Sequence, residues 1–288
     1  MLEIKEEELK KILPSDGPSI NEVKNYLEKY NDEYIVIKCG GSVLVNQDLF
    51  NIFIRDISVL NKLGFIPIIV HGGGKRISNK LNELGIKSNF IKGLRVTEKE
   101  TIEVVEQVLI EFNSEIIEAL KVQSCNSQTI NSKENNIITV IQENAELGFV
   151  GTPTKIDKAI IDKIVDEKKV PVIAPLGLDE NNQTYNINAD TAAGSIAKKI
   201  EARRLIIMSD VEGVLDDNQK LIPEINSNSI KDLIDNEVVT GGMIPKINNC
   251  LDVASNGVKG VVIIDGRKNH SILFELLSEK GSGTLIRQ

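Results

Sequence analysis

Two lysines in this chain stand beside paired glycines, an arrangement suited to holding an oxyanion. Lys38 precedes Gly40-Gly41, and Lys246 follows Gly241-Gly242. Adjacent glycines let backbone N–H groups approach an anion closely, and a lysine beside them adds a fixed positive charge. A third glycine turn, His71-Gly72-Gly73-Gly74, opens a helical pattern whose N-terminus favours negative charge through its dipole. Two further elements carry polar groups. Gly93-Leu-Arg-Val-Thr97 presents Arg95 ahead of a long helix, and Asn186-Ile-Asn-Ala-Asp190 ends in a carboxylate. Taken singly, each has an ordinary structural explanation. Gly-Gly after a strand is usually a tight turn, Asp190 suits a helix cap, Lys246 a solvated helix face, and Arg95 a surface ion pair. His71 reads as structural, hydrogen-bonding the glycine turns.

The elements that must position these groups alternate between strand and helix. Ile35-Val36-Ile37 and Ile66 to Val70 are short apolar runs without polar alternation, the pattern of strands covered on both faces. Between them Leu49, Phe50, Phe53, Ile57 and Leu60 form a helical face closed by Gly64, giving a βαβ unit. Each of the first two glycine turns thus falls at the carboxyl end of a strand, where parallel sheets form a ligand crevice. Ile77, Leu81 and Leu84 predict a helix stopped at Gly85. Val105, Leu109, Phe112, Ile116 and Leu120 predict a long one behind a capping box from Thr97 to Glu100. Residues 123–136, rich in Asn, Ser and Gln, read as irregular. Strands at 137–141, 170–174, 205–208 and 261–264 follow. Helices at 158–166, 191–200 and 270–278, with another ending at Gly257, complete an α/β pattern. It predicts a three-layer αβα sandwich around a mainly parallel open sheet, in two lobes at 34–175 and 176–288. Residues 1–33 form an extension. Its first part is a marginal helix within 1–13; the second, behind the capping box Ser19-Ile-Asn-Glu22, is an amphipathic helix carrying Ile20, Val23, Leu27 and Tyr30, with Tyr26 beside them.

Composition narrows the classes. The chain has 288 residues, 41% hydrophobic and 26% charged, as in soluble globular proteins with an ample core. No apolar run approaches the ~20 residues that span a bilayer. The Glu- and Lys-rich N-terminus lacks the apolar core of a secretory signal, and its acidity argues against a transit peptide. A formal net charge of -8 disfavours a nucleic-acid partner. Cys39, Cys125 and Cys250 form no metal or redox motif and fit a reducing cytoplasm. The two histidines leave little material for a metal site or a Ser-His triad. Gly72-Gly-Gly-Lys75 lacks the spacing and hydroxyl of a Walker A loop, and no glycine turn carries the Gly-x-Gly-x-x-Gly of a dinucleotide-binding dehydrogenase.

Six ordered elements are specific together where each alone is not. Lys38-Cys-Gly-Gly41, His71-Gly-Gly-Gly74, Gly93-Leu-Arg-Val-Thr97, Asn186-Ile-Asn-Ala-Asp190, Asp210-Val-Glu-Gly-Val214 and Gly241-Gly-Met-Ile-Pro-Lys246 resemble the amino acid kinase family. The resemblance runs from about Tyr34 to Ile286. The Arg95 loop combined with the Asn186 element is similar to members acting on N-acetyl-L-glutamate rather than on uridylate or carbamate. It implies phosphoryl transfer from ATP, with Mg2+, to the γ-carboxylate of that substrate, in arginine biosynthesis. It implies that Lys38 and Lys246 flank the transferred group while Asp190 orients both. Gly73, Gly74, Arg95 and Asn186 would hold the acceptor, Arg95 clamping a carboxylate through two parallel hydrogen bonds. Gly40, Gly41, Ser209, Asp210, Val211, Gly213, Val214, Val238, Val239 and Thr240 would contact ATP, which would itself carry most of the metal's ligands.

The chemistry suits this inventory. A glutamate side chain with a pKa of about 4.3 is ionised at neutral pH and attacks phosphorus without a general base. The obstacle is crowding of negative charge, and the remedy is preorganised cations and backbone donors. The family's usual Gly-Leu-Ser-Gly-like segment is replaced here by Thr129-Ile-Asn-Ser132, and Cys39 stands where aromatic or aliphatic residues are common.

The ends of the chain resemble the arginine-inhibited members of the family, whose N-terminal helices interlace dimers into a hexameric ring. That implies a homo-oligomer, a dimer or trimer of dimers, and an L-arginine site bordered by Tyr26, His270, Glu275, Gly281 and Gly283. Rival readings are an acylphosphate kinase for glutamate or aspartate and a noncatalytic arginine-sensing protein. A membrane or nucleic-acid partner is not expected.

Overall fold

Alternation along the strand Tyr34–Cys39 decides how the molecule is layered. Ile35, Ile37 and Cys39 enter one apolar core, Val36 enters another, and all four are fully buried. Lys38 shares the parity of Val36 and so points to the second side. The computed structural model in which this is seen describes residues 4–236, 238–239 and 243–288. Thr240 and the Gly241-Gly242 turn lie outside the described residues.

In chain order, helices α1 (Glu6–Ile12) and α2 (Ile20–Tyr30) lead into β1 (Tyr34–Cys39), α3 (Gln47–Lys62), β2 (Ile66–His71) and α4 (Gly74–Glu83). A hairpin of β3 (Phe90–Ile91) and β4 (Leu94–Arg95) precedes α5 (Lys99–Val122). Then come β5 (Ser127–Ile130), β6 (Ile138–Gln142), β7 (Gly151–Ile156), α6 (Lys158–Asp166), β8 (Val170–Ile173), β9 (Leu176–Leu178) and β10 (Thr184–Asn186). The remainder is α7 (Ala189–Lys199), β11 (Arg204–Ser209), β12 (Glu224–Asn226), α8 (Ser229–Asp235), α9 (Met243–Ser255), β13 (Val261–Asp265), α10 (Ser271–Leu277) and β14 (Gly283–Arg287).

Eight strands form the main sheet in the order β12-β14-β13-β11-β1-β2-β8-β5. It is parallel except where β14 runs antiparallel to β13 and carries β12 with it. The three-layer α/β reading of the sequence therefore holds. One face is covered by α1, α2, α3, α5 and α10 through Leu9, Val23, Phe53, Phe112 and Leu273; the other is covered by α7 and α9 through Ala193, Ile196 and Val253. The small residues of α7 let it approach α9 closely, since a Cβ on Gly194 would sit 2.8 Å from Val253 Cγ2. Truncating a core isoleucine such as Ile207, fully buried in β11, should cost about 2–5 kcal/mol. β1 has β2 on one side and β11 on the other, so the winding reverses there, and a crevice opens beyond the carboxyl ends of these strands.

Several local expectations are revised. The weak N-terminal pattern is a docked helix, because Leu9 is fully buried in the core that holds Val23 of α2. The polar stretch 123–136 contains β5, an edge strand running parallel to β8 with Ser127 opposite Val170. Its alternation is weak because only one of its neighbours is a strand. The capping box from Thr97 to Glu100 is not formed: Glu98 is the N-cap, without a side-chain hydrogen bond. Thr97 is instead held extended, its N–H donating to the Leu147 carbonyl at 2.9 Å and its carbonyl accepting from the Phe149 N–H at 2.7 Å. The box at Ser19–Glu22 is formed on both sides. A four-stranded sheet ordered β10-β9-β6-β7 joins segments from both sides of residue 175.

Candidate active site

Asp190 lies in the first turn of α7, and the helix presents its carboxylate to two ammonium groups. Lys38 Nζ, at the end of β1, is 2.9 Å from Oδ1, and Lys246 Nζ, from α9, donates a 2.7 Å hydrogen bond to Oδ2. The three side chains are between 13% and 20% exposed, so the ions are mostly withdrawn from water. Burial pushes the Asp190 carboxyl up, but the attraction of Lys38 and Lys246, with their hydrogen bonds, prevails and holds it down to about 2. Asp190 does not cap its own helix. Asn188 does, its Oδ1 accepting from the N–H groups of Asp190 and Thr191, which leaves the Asp190 carboxylate free for the lysines.

Lys38 lies over the first glycine turn, where a Cβ on Gly40 would be 2.5 Å from its Nζ. Gly41 has φ +63, in the left-handed region, and a Cβ there would overlap the Asp210 carboxylate. That carboxylate accepts from the Ser42 N–H at 2.8 Å and from Lys75 Nζ at 3.3 Å. Burial pushes the Asp210 carboxyl up, but these donors and the charge of Lys75 bring it below the usual range.

A cleft of about 630 Å³ gathers Lys38, Gly40, Gly41, Gly73, Gly74, Arg95 and Asn186 along its walls. Arg95 is 7% exposed, and burial lowers its pKa. Its Nη2 donates to the Gly74 carbonyl at 2.9 Å and to Ser78 Oγ at 2.8 Å, its Nη1 donates to Ser88 Oγ, and its guanidinium stacks 4.7 Å from the Phe90 ring. Among the described residues no carboxylate pairs with it. An unpaired buried cation on a cleft wall is a site for an anion. Asn186 Nδ2 donates to Thr97 Oγ1 at 3.3 Å. Sequence reasoning misses Ser78, Ser88 and Phe90, because a serine or a hairpin aromatic gives no signal until the fold brings it to Arg95.

The remaining expected positions fall in two places. Ser209 ends β11, and Asp210, Val211, Gly213 and Val214 follow in the loop beside the first glycine turn. Val214 and Val239 are core residues, 2% and 1% exposed, so only their backbones can meet a nucleotide; Val238 is half-buried. Thr240 lies outside the described residues. At the other end of the chain, His270 is 3% exposed, with Asp56 Oδ1 2.6 Å from Nδ1 and Asp16 Oδ1 3.1 Å from Nε2. Both of its ring nitrogens are thus engaged within the chain, and neither is open to a ligand in this arrangement. The hydrogen bond with Asp56 raises its pKa. Glu275 accepts from the Ser282 N–H at 2.8 Å, beside Gly281; burial pushes its carboxyl up, with Arg204 and Lys29 opposing. Gly283 opens β14, and Tyr26 packs on the α2 side of the core.

Residues 33–265 match the amino acid kinase family model. The chain is 70% identical over 288 residues to an acetylglutamate kinase of Pelagibacter ubique, covering 100% of each chain. It is 39% identical to an acetylglutamate kinase of Afipia carboxidovorans, covering 96% of this chain and 98% of that one. A solved N-acetylglutamate synthase from Neisseria gonorrhoeae shares the fold with a TM-score of 0.84 at 22% identity. It covers 94% of this chain, which spans 64% of that one. The chain belongs to the acetylglutamate kinases of the amino acid kinase family.

Proposed function

We propose that the protein transfers the γ-phosphoryl group of ATP to the side-chain carboxylate of N-acetyl-L-glutamate, giving N-acetylglutamyl 5-phosphate for arginine biosynthesis. The observation that carries this reading is the convergence of Lys38 and Lys246 on the Asp190 carboxylate, with Lys38 also on the wall of the cleft that holds the unpaired Arg95. Arg95 takes one carboxylate of the acceptor, and the other is then directed at the lysines. Gly73 and Gly74, at the start of α4, and Asn186 hold the acceptor's polar groups. The acceptor carboxylate attacks as an anion, so the chain needs only to draw two negative groups together and stabilise the charge between them. Lys38 and Lys246 provide that charge, and Asp190 fixes where they stand. Residues 34–175 serve the acceptor and dimerisation; residues 176–288, with the first glycine turn, serve the nucleotide. Mg2+ neutralises phosphate charge when bound. Its ligands would come mainly from the oxygens of the nucleotide.

A coupled ADP-release assay comparing N-acetylglutamate with free glutamate and aspartate tests the reading. Turnover on acetylglutamate that is lost in Lys38→Ala and Lys246→Ala is expected; preference for a free amino acid would overturn it. Feedback by L-arginine, in a homo-oligomer tied by residues 1–33, is the finer part of the proposal. Its support is Glu275, a carboxylate raised by burial beside Gly281, where a guanidinium would be welcome. Full activity at millimolar arginine would reject it, and sedimentation of a chain lacking residues 1–30 tests the assembly.

A further inference from the structure

We propose that Asn131, Thr129 and Asn113 form a positioning chain that acts through His71 on the Gly72–Gly74 turn. The proposal rests on the kinase reading for its effect on rate, but its geometry stands independently. Gly72 is held through both of its peptide groups: its N–H donates to the Cys39 carbonyl at 2.8 Å, and its carbonyl lies 3.1 Å from His71 Nδ1. A carbonyl only accepts, so Nδ1 carries the proton and Nε2 is bare. Asn113 Nδ2 donates to that Nε2 at 3.2 Å and to the Val172 carbonyl at 3.0 Å. The Val172 carbonyl also only accepts, which fixes the amide with its nitrogen toward His71 and its oxygen away. That oxygen accepts from Thr129 Oγ1, and Thr129 Oγ1 accepts from Asn131 Nδ2 at 3.1 Å. Asn131 is pinned in turn by the N–H groups of Lys133 and Glu134, at 2.8 and 3.0 Å. Every donor in the chain runs in one direction.

His71 and Asn113 are fully buried, and burial lowers the His71 pKa to about 4. The neutral ring is what the chain requires, because an imidazolium would set Nε2–H against the Asn113 N–H. A trans peptide aligns its N–H opposite to its C=O. Holding the Gly72 carbonyl on the imidazole therefore turns the Gly73 N–H the other way, within a turn whose three glycines line the cleft. The polar stretch around Thr129 so reaches the Gly72–Gly74 turn through two buried side chains, Asn113 and His71.

Thr129→Val removes the hydroxyl without changing the side chain's shape, and Thr129→Ser restores it. The expected result is a kcat reduced about tenfold in Thr129→Val, with the KM for ATP unchanged and activity recovered in Thr129→Ser. With only two histidines, 15N imidazole spectra can be assigned by a His270→Gln control. His71 should show the Nδ1–H tautomer and no titration between about pH 5.5 and 8, and Asn113→Leu should disturb that tautomer. An Nε2–H tautomer, or a His71 that titrates near neutrality, would overturn the chain whether or not acetylglutamate is the substrate. Thr129→Val with wild-type kcat, or a loss that Thr129→Ser does not repair, would overturn its link to catalysis.

Discussion

Replacing Asp190 by asparagine removes the anion that gathers two ammonium groups. In the folded protein its carboxyl falls from 3.8 to about 2, against the opposing effect of burial. At about 1.4 kcal/mol for each pH unit, the ionised form contributes about 2.5 kcal/mol at neutral pH. Asp190→Asn loses that contribution and leaves Lys38 and Lys246 facing each other, so destabilisation of about 3–5 kcal/mol is expected. Separately, the lysines would no longer be held at 2.9 and 2.7 Å; on the proposed phosphoryl transfer, kcat should fall about 10²–10³-fold. Urea unfolding and ADP release at saturating substrate measure the two effects independently. The pH profile adds a signature. A carboxyl with a depressed pKa contributes stability that is complete above about 3.8 and lost as pH falls through about 2. Wild-type stability should therefore decline across that window, with a shallower decline in the variant. An asparagine variant that matched wild type in both kcat and unfolding midpoint would refute the reasoning.

Other substitutions separate stability from activity. Arg95→Met removes a buried cation that has no carboxylate partner among the described residues, so the thermal midpoint should hold or rise. The KM for acetylglutamate should increase about 10–100-fold; a midpoint that drops sharply would contradict this. Gly41→Ala forces a side chain into φ +63 and against Asp210, and should cost about 1–2 kcal/mol while raising the KM for ATP. Gly74→Ala meets nothing within 4 Å, so urea unfolding should be unchanged while acceptor binding weakens at the cleft wall. His270, raised by Asp56, contributes stability that is complete below about 6.5 and lost as pH rises through its higher folded value. Melting temperatures should thus fall above neutral pH in the wild type and be flatter in His270→Gln.

The sequence made the layers legible because burial on both faces leaves a plain mark: β-branched runs with no polar alternation, as at Ile35-Val36-Ile37. The glycine turns were visible for the same kind of reason, since few residues accept what Gly41 must do. β5 escaped because an edge strand needs little apolar character, and three of its four residues are only half-buried. Thr97 misled because the same residue pattern serves a helix cap or an extended bridge, and hydrogen bonds to Leu147 and Phe149, distant in sequence, decide between them. The partners of Arg95 were hidden for a related reason. Ser78 and Ser88 acquire meaning only when α4 and the β3–β4 hairpin bring them to one guanidinium.

Because Lys38 and Val36 share one side of β1 while Ile35 and Ile37 share the other, the strand cannot shift by a single residue without penalty. Such a slip would drive an ammonium group into the oily layer under α3 and move isoleucines to the side that carries Val36 and Lys38. The same ammonium group that Asp190 holds therefore also sets the register of β1, since a one-residue mispairing would leave that charge without its carboxylate partner.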